Sequence, residues 1–372
     1  MFKQFSSDEF IARFWQQHPV LLHQAFADLA GCISGDELAG LACEEDVESR
    51  LISGFDPTGT WQCRHGPFTA NDFARLPEDN WTLLVQSVDQ WHDSIRAILD
   101  RFGFLPRWRL EDIMASFAPV GGGVGPHFDY YDVFLIQVQG RREWQLGQRC
   151  DDTTGLQDND QLKLLADFDT QVTHTVNSGD ALYIPAGLAH WGRALSADCI
   201  TLSVGFRAPS EQEIMAETLE IAIAGLSANV RYKDSPGSID RHPNKINTHV
   251  LTTLDAMLDK LTPAQLRQSA LQAFGQLVTE PRSFCDGEVQ PDWTVTKLGE
   301  RMNSGASVEL APAPQCRLAF TDTLLFVNGR AYPCDEAFSR ALCDGRINAP
   351  LSKMQLNLLV ELLNDGSLLI VT

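Results

Sequence analysis

Short apolar segments separated by glycine, proline and aspartate fill the middle of the chain, from about residue 108 to residue 206. Segments of this length, bounded by residues that form turns, are typical of a β-barrel or a β-sandwich. A period of two predicts that Leu110 to Phe117 is a strand, with Asp112, Met114 and Ser116 on a mixed polar face and apolar side chains on the other. The pattern therefore predicts a barrel wall with one face suited to line a pocket.

One stretch of this region, Ser116 to Asp132, reads SFAPVGGGVGPHFDYYD and carries the side chains most able to hold a metal ion. His127 and Asp129 are two residues apart, so on an extended strand they point to the same side. The best third ligand is His190, because a strand, a proline and a glycine precede it and would turn the chain back across the mouth of a barrel. Two histidines and one carboxylate form the facial triad of non-haem Fe(II) oxygenases. Such a triad leaves positions for a bidentate 2-oxo acid and for O₂.

Two spaced motifs resemble those of the cupin superfamily. The pattern G-x₅-H-x-D, which ends at Asp129, matches the first cupin motif with aspartate in place of its second histidine. The pattern G-x₅-P-x-G-x₂-H, which ends at His190, matches the core of the second motif, although Ala194 stands near the place of its final asparagine. Together with the sequences G-R-R and T-L-S-V-G-F-R-A-P, these motifs resemble the bacterial ribosomal oxygenases of the JmjC group.

The resemblance covers essentially the full chain, and its most specific motifs lie in residues 112 to 209. It implies an α+β protein whose double-stranded β-helix, the cupin or JmjC jelly roll, occupies residues 1–209 together with N-terminal helical and strand elements. It further implies a helical dimerisation region at 210–280 and a C-terminal winged-helix-like domain at 281–372. The change from short strands to helical periodicity after residue 209 agrees with the first boundary. Periodicity predicts helices at Glu211–Asn229, Thr248–Lys260 and Pro263–Thr279, and a short one at Leu162–Phe168.

The activity that the resemblance implies is that of an Fe(II)- and 2-oxoglutarate-dependent dioxygenase. The expected substrate is an arginine side chain of the sixteenth protein of the bacterial large ribosomal subunit. The iron is expected on His127, Asp129 and His190, with 2-oxoglutarate as cosubstrate and O₂ as oxidant. Related oxygenases that act on another protein residue share the same iron site, and only the lining of the pocket separates them.

The distal carboxylate of 2-oxoglutarate needs a fixed cation, and a guanidinium binds a carboxylate in bidentate fashion. Periodicity cannot choose between Arg141 and Arg142, because the turn predicted at Gly140 resets the alternation. The resemblance assigns this contact to Arg142, with the hydroxyl of Ser116 as a second contact. It also implies a set of side chains that hold the substrate arginine: Asp112, Met114, Tyr131 and Ser203.

The chain carries a net charge of −20, from 29 basic and 49 acidic residues. Such a charge repels phosphates and attracts cationic partners, so a basic protein is a better expected partner than nucleic acid or a membrane. This balance also argues against the alternative of a metal-binding cupin sensor with a winged-helix domain. Nine scattered cysteines without a C-x-x-C pair, and no apolar signal segment at the start, favour the cytoplasm. The resemblance adds the expectation of a homodimer.

Overall fold

The computed structural model describes residues 6–53, 61–159, 161–234, 237–239, 242, 244–281, 292–303, 309–347 and 350–371. The chain divides into two compact units, Met1–Ala208 and Pro209–Thr372. The finer division of the second unit at residue 281 stays a prediction, since residues 282–291 lie outside the described part of the chain.

The first unit opens with short helices that begin at local capping signals. Ser6 and Glu9 form a reciprocal capping box at the first of them, as do Ser34 and Glu37 at the second. The helices are α1 (Ser7–Arg13), α2 (Gly35–Leu41), α3 (Ala70–Ala74), α4 (Val88–Trp91) and α5 (Asp93–Arg96), with 3₁₀ turns at Ala27–Leu29, Ala97–Phe102 and Arg107–Arg109.

Two antiparallel sheets make up the rest of this unit. The larger one has eight strands in the order β1-β9-β6-β11-β5-β4-β2-β3, and the smaller one has three in the order β10-β7-β8. The strands are β1 (Val20–Leu22), β2 (Ser49–Ser53), β3 (Gln62–His65), β4 (Trp81–Val85), β5 (Leu110–Ala118), β6 (Asp132–Gln139), β7 (Arg141–Arg149), β8 (Val172–Asn177), β9 (Ala181–Ile184), β10 (Leu188–Ala194) and β11 (Cys199–Phe206).

The two faces of the large sheet pack against different layers. One face joins the N-terminal helices in the main core, where the ring of Phe10 lies 5.0 Å from that of Tyr183 and 5.3 Å from that of Phe134. The other face joins the small sheet in a second apolar cluster, which includes Leu135 and Trp144. The alternating strand predicted at Leu110–Phe117 is confirmed: it is part of β5, whose two faces belong to different clusters.

The second unit begins with helices α6 (Glu211–Ala224), α7 (Thr248–Leu258) and α8 (Pro263–Thr279). A small α/β core follows, in which β12 (Glu309–Pro312) pairs with the last strand and a three-stranded sheet lies in the order β13-β14-β15. Its remaining elements are α9 (Val295–Asn303), β13 (Leu318–Phe320), β14 (Leu324–Val327), β15 (Arg330–Pro333), α10 (Glu336–Cys343), α11 (Lys353–Asn364) and β16 (Leu368–Val371). Its description as a winged helix stays a prediction. None of the described helices of the protein is long and apolar enough to cross a membrane.

Two helix predictions need correction. Residues Leu162–Phe168 form no helix: the amide of Leu165 donates to the carbonyl of Pro126, and the carbonyl of Leu164 accepts from Gln157. The main chain of this segment is therefore bonded to residues outside it and not to its own preceding turn. Its apolar side chains are buried by tertiary contacts, and not along one face of a helix. The helix predicted to reach Asn229 ends at Ala224, directly before Gly225.

Candidate metal centre

The segment that carries His127 and Asp129 is held against β10 by main-chain hydrogen bonds. The amide of His127 donates to the carbonyl of His190 at 3.1 Å, and the amide of His190 donates back at 2.8 Å. The amide of Gly187 donates to the carbonyl of Asp129 at 2.8 Å. The segment was predicted to be a strand, but His127 forms only an isolated bridge to His190, and the regular strand β6 begins at Asp132. This bridge brings the two histidines opposite each other.

The glycine-rich turn before the bridge lets the backbone approach closely. Gly121 has a φ of +79°, in the left-handed region that glycine adopts without strain. A Cβ atom on Gly122 would lie 2.1 Å from the carbonyl oxygen of Trp81, so a larger residue there would displace the backbone. The turn can therefore lie against β4 and still deliver His127 to β10.

His127, Asp129 and His190 form a compact cluster, as the sequence predicts. Nε2 of His190 lies 3.6 Å and Nε2 of His127 lies 4.0 Å from Oδ2 of Asp129, and the three ligand atoms are all within 4.8 Å of one another. Among the described residues, this is the one such group of histidine, cysteine and acidic side chains.

The two imidazole rings have the tautomer that a metal ion requires. Nδ1 of His127 lies 3.0 Å from the carbonyl oxygen of Gly125, and Nδ1 of His190 lies 2.9 Å from that of Leu188. A carbonyl can only accept, so each Nδ1 carries the hydrogen and each Nε2 keeps its lone pair toward Asp129. The two neutral nitrogens are oriented by main-chain acceptors. Together with one carboxylate, they fit a divalent first-row metal ion with open coordination positions.

Burial favours the neutral form of His190. Its side chain is almost fully buried, and desolvation, with a smaller contribution from His127, lowers its pKa to about 4, although Asp129 acts in the opposite direction. The ring nitrogen is therefore unprotonated near neutral pH. A proton does not compete with a metal ion for it there.

The register of β7 and β10 distinguishes the two arginines by their burial. Arg142 lies opposite Ala194, and it is 3% exposed, whereas Arg141 is exposed to solvent. Buried residues then alternate along β7 up to Leu146, which pairs with His190. Arg142 thus lies on the same face of the small sheet as the metal cluster.

The guanidinium of Arg142 is only partly satisfied by the protein. Its Nε lies 3.5 Å from Sγ of Cys199, and the group lies 5.7 Å from the centroid of the Trp144 ring. Its Nη2 is buried and has no hydrogen-bond partner among the described residues. A buried cationic nitrogen of this kind calls for an anionic acceptor. Sequence reasoning missed Cys199, which no local pattern connects to Arg142.

Ser116 lies on β5 beside the same part of β11. Its hydroxyl is buried and donates to the carbonyl of Thr201 at 3.3 Å. Thr201 is two residues from Cys199, which contacts Arg142. The lone pairs of the Ser116 oxygen can still accept a hydrogen bond while its proton is held by the main chain.

The residues expected to contact the substrate arginine lie on neighbouring elements of this unit. Met114 and Ser203 are directly opposite each other on β5 and β11, and both are half-buried. Burial, followed by the charges of Asp129 and Asp112, raises the pKa of Tyr131, so its phenol stays protonated. Both carboxylates therefore lie near enough to Tyr131 to affect its pKa.

Asp112 is buried rather than exposed. Its Oδ2 accepts three hydrogen bonds, from Nε2 of Gln86 at 2.7 Å, from Oγ of Ser87 at 2.9 Å and from the amide of Ser87 at 3.0 Å. The sequence analysis did not single out Gln86 or Ser87. No signal within either short segment could have found them, because the pairing of β4 with β5 brings them together.

The fold and the cluster define a cupin-type oxygenase domain, and the JmjC domain family matches residues 97–214. The Escherichia coli ribosomal protein uL16 3-hydroxylase is 39% identical over 304 residues, which are 80% of this chain and 78% of that protein. An X-ray structure of Escherichia coli YcfD superimposes with a TM-score of 0.83 and 31% identity, over 100% of this chain and 99% of that one. A structure of YcfD with cobalt and 2-oxoglutarate, described as a ribosomal oxygenase, has a TM-score of 0.79 and 31% identity, and 99% of each chain is covered. This chain belongs to the family of JmjC-domain ribosomal oxygenases.

Proposed function

We propose that this protein is an Fe(II)- and 2-oxoglutarate-dependent dioxygenase that hydroxylates an arginine side chain of the ribosomal protein uL16. The observation that carries the proposal is the cluster of His127, Asp129 and His190 beside a buried arginine, Arg142, whose Nη2 has no partner among the described residues. One part can hold a metal ion and the other an organic anion. These are the two binding requirements of a 2-oxoglutarate oxygenase.

In this proposal, Nε2 of His127, Nε2 of His190 and a carboxylate oxygen of Asp129 would hold Fe(II). The bound iron supplies the place at which O₂ oxidises 2-oxoglutarate to succinate and CO₂ and hydroxylates one C–H bond of the substrate. The protein fixes the direction of both imidazole lone pairs through the carbonyls of Gly125 and Leu188. A metal ion held by only three protein ligands would keep coordination positions for the two reactants.

Arg142 binds the distal carboxylate of 2-oxoglutarate through its guanidinium, and Ser116 adds a hydrogen bond. The charge is fixed in place because the arginine is buried among Cys199, Trp144 and the strands around them. A guanidinium in a dry site binds a carboxylate more strongly than it would in water. This contact holds the cosubstrate in a single orientation toward the metal.

Asp112, Met114, Tyr131 and Ser203 receive the substrate arginine. The carboxylate of Asp112 pairs with its guanidinium, and the flexible side chain of Met114 packs along its aliphatic stem. The protonated phenol of Tyr131 contacts the substrate beside the metal in this proposal, which its position near Asp129 and Asp112 supports. Together these contacts orient one carbon of the side chain toward the reacting centre.

The proposed setting is the cytoplasm, with a basic ribosomal protein as partner and no direct contact with nucleic acid. The net charge of −20 supports attraction of a cationic substrate.

We further propose a homodimer formed through the helical region. Met215, Leu219 and Ile223 follow a spacing of four along α6 and are 63%, 49% and 50% exposed, so they form an apolar stripe that a second copy would cover. Sedimentation that gives a monomer mass at micromolar concentration would contradict the dimer.

Mass spectrometry of a uL16 peptide tests the activity. The peptide is incubated with the protein, Fe(II), 2-oxoglutarate and O₂, and fragmentation should place one added oxygen on an arginine. The Asp129→Ala variant and a peptide with citrulline in place of that arginine serve as controls. Oxygen on another residue type would favour an oxygenase of different specificity, and metal binding without any 2-oxoglutarate turnover would favour the sensor alternative.

A further inference from the structure

Arg142, the proposed anchor of the cosubstrate, is held by a sulfur atom and an aromatic ring rather than by a carboxylate. The residue is 3% exposed, its Nε lies 3.5 Å from Sγ of Cys199, and its guanidinium lies 5.7 Å from the centroid of the Trp144 ring. Within the part of the chain that the structure describes, no ion pair joins it to an acidic side chain. Its positive charge is therefore available to an anion that enters the site.

The contact with Cys199 leaves one edge of the Arg142 guanidinium for a carboxylate. A guanidinium binds a carboxylate in bidentate fashion along either of two edges, the side edge of Nε and Nη2 or the terminal edge of Nη1 and Nη2. The side edge is taken, because the hydrogen of Nε is directed at the sulfur of Cys199. The terminal edge includes Nη2, which is buried and has no hydrogen-bond partner among the described residues. A carboxylate that reaches Arg142 would therefore be bound along the terminal edge.

The sulfur atom of Cys199 is itself held by the side-chain amide of Gln137, a fully buried residue of β6. Oε1 of this amide accepts from the hydroxyl of Thr201 at 2.9 Å. Its Nε2 donates to the carbonyls of Gln139 and Ile200, at 2.7 and 3.1 Å. Because carbonyls only accept, these contacts fix which end of the amide is the donor. Nε2 also donates to Sγ of Cys199 at 3.2 Å, so the strands around the sulfur set its position.

The same network supports the second proposed contact of the cosubstrate. Thr201 is two residues from Cys199 on β11, and its carbonyl accepts from the hydroxyl of Ser116 at 3.3 Å. The amide of Gln137 thus contacts both residues of β11 that hold the proposed anchor groups. Arg142 and Ser116 therefore depend on one buried set of hydrogen bonds.

We propose that Cys199 is a positioning residue for 2-oxoglutarate, because its sulfur holds Nε of Arg142 and so presents the terminal edge of the guanidinium to the distal carboxylate. This inference rests on the proposed function, since it concerns the same cosubstrate. Cys199 acts through Arg142 and makes no contact of its own with the cosubstrate. Without the sulfur, the guanidinium can rotate about the bonds of its side chain, and part of its fixed orientation is lost.

Binding of two matched 2-oxo acids tests the inference without any turnover. 2-Oxopentanoate has the chain length of 2-oxoglutarate but no distal carboxylate, so the ratio of its Kd to that of 2-oxoglutarate measures the anchor alone. Both Kd values are measured by calorimetry on the full-length protein with Mn(II), in the absence of O₂ and of peptide. Wild type should favour 2-oxoglutarate about 30-fold or more, which is the effect of one charge-assisted bidentate contact.

The variant Cys199→Ala should lower this ratio about three- to tenfold, because 2-oxoglutarate binds more weakly while the Kd of 2-oxopentanoate stays unchanged. An unchanged Kd for 2-oxopentanoate shows that the fold and the metal cluster of the variant are intact. Cys199→Ser keeps a hydrogen-bond acceptor on a shorter side chain, so it should restore part of the ratio. Cys63→Ala removes another buried thiol of the first unit and should change neither Kd.

A double-mutant cycle with Arg142→Lys shows whether Cys199 acts through the arginine. Lysine has a methylene group where arginine has Nε, so Cys199→Ala should cause little further loss in that background. An equal loss in both backgrounds, or an equal weakening of both acids by Cys199→Ala, would overturn the inference.

The same measurements keep this inference apart from the proposed function. A ratio that is unchanged in Cys199→Ala, while wild type hydroxylates its peptide, would contradict the positioning role and leave the function standing. A ratio that falls as expected, in a protein that hydroxylates no arginine, would contradict the function and leave the positioning role supported. Equal binding of the two acids by wild type would contradict both.

Discussion

The metal end and the proposed substrate end of the site differ in how their polar groups are held. At the metal end, the imidazoles of His127 and His190 and the hydroxyl of Ser116 all donate to main-chain carbonyls. At the substrate end, Asp112 is oriented largely by the side chains of Gln86 and Ser87. The metal end is therefore fixed by the fold itself, whereas the substrate end depends on the identity of a few side chains.

Exposure follows this division only in part, because Asp112 is buried and His127 and Asp129 are half-buried. His190 is 2% exposed, and Arg142 and Ser116 are each 3% exposed, whereas Met114, Tyr131 and Ser203 are all half-buried. A 2-oxo acid must be held in a dry site, because water weakens the pairing of its carboxylate with an arginine. A protein side chain must enter and leave. We therefore expect variants of the metal end to abolish turnover and variants of the substrate end to change selectivity.

The largest expected effect comes from removal of the carboxylate ligand. Asp129→Ala should lower succinate formation from 2-oxoglutarate at least about 1000-fold, because two histidines alone hold the metal weakly and leave its charge poorly balanced. Turnover is followed by mass spectrometry with excess Fe(II). Asp152→Ala, which removes an exposed carboxylate, is the matched control and should retain wild-type turnover. Substantial turnover by Asp129→Ala would show that this carboxylate is not a required ligand of the metal ion.

A smaller effect is expected at the cosubstrate anchor. Arg142→Lys should raise the KM for 2-oxoglutarate by about 10- to 100-fold, because an ammonium group cannot form the bidentate contact. The neighbouring substitution Arg141→Lys is the matched control, since that side chain points to solvent. Steady-state kinetics with varied 2-oxoglutarate would measure both. An effect of Arg141→Lys with none of Arg142→Lys would mean that the anchor has been assigned to the wrong arginine.

The last predicted effect is on stability rather than on turnover, and it concerns the buried carboxyl group of Asp89. Burial raises the pKa of Asp89 from its usual 3.8 to about 6, so the folded protein binds this proton more tightly than the unfolded chain does. The stability that it contributes is complete below about pH 4 and is lost as the pH rises through about 6. The Asp89→Asn variant has no carboxyl group to ionise, so it does not lose this stability as the pH rises. Its side-chain oxygen can still accept the hydrogen bond from the amide of Ile113.

Urea unfolding at pH 4 and pH 7 measures this difference. Relative to wild type, Asp89→Asn should gain up to about 3 kcal/mol in the free energy of unfolding between the two pH values. The exposed Asp152→Asn should gain little. If the free energy of unfolding of wild type instead rises relative to that of Asp89→Asn between pH 4 and pH 7, Asp89 is ionised at little cost. The proposed substrate end would then tolerate a second buried charge.

Features with local signals could be predicted from the sequence. The helix Pro263–Thr279 has the predicted bounds, since Thr262 and Gln265 form a capping box and a proline occupies the first turn. The three members of the metal cluster were likewise predicted as a set, from the spacing of His127 and Asp129 and from the turn before His190. Both predictions depend on residues that lie close together in the sequence or on a resemblance to known motifs.

Features that depend on strand pairing could not be predicted from the periodicity of the sequence. Arg142 points inward because the turn at Gly140, with a φ of +71°, sets its register opposite Ala194 on another strand. The contact between Ser87 and Asp112 joins residues 25 apart in the sequence. The wrong helix at Leu162–Phe168 has the same origin, because its apolar side chains are buried by distant segments.

A crystal structure of the protein with Mn(II) and 2-oxoglutarate, prepared without O₂, tests the central claim most directly. We predict a metal ion bound by Nε2 of His127, Nε2 of His190 and the carboxylate of Asp129, with the distal carboxylate of 2-oxoglutarate at the guanidinium of Arg142. A metal ion held by other residues, or a cosubstrate whose distal carboxylate lies away from Arg142, would contradict it.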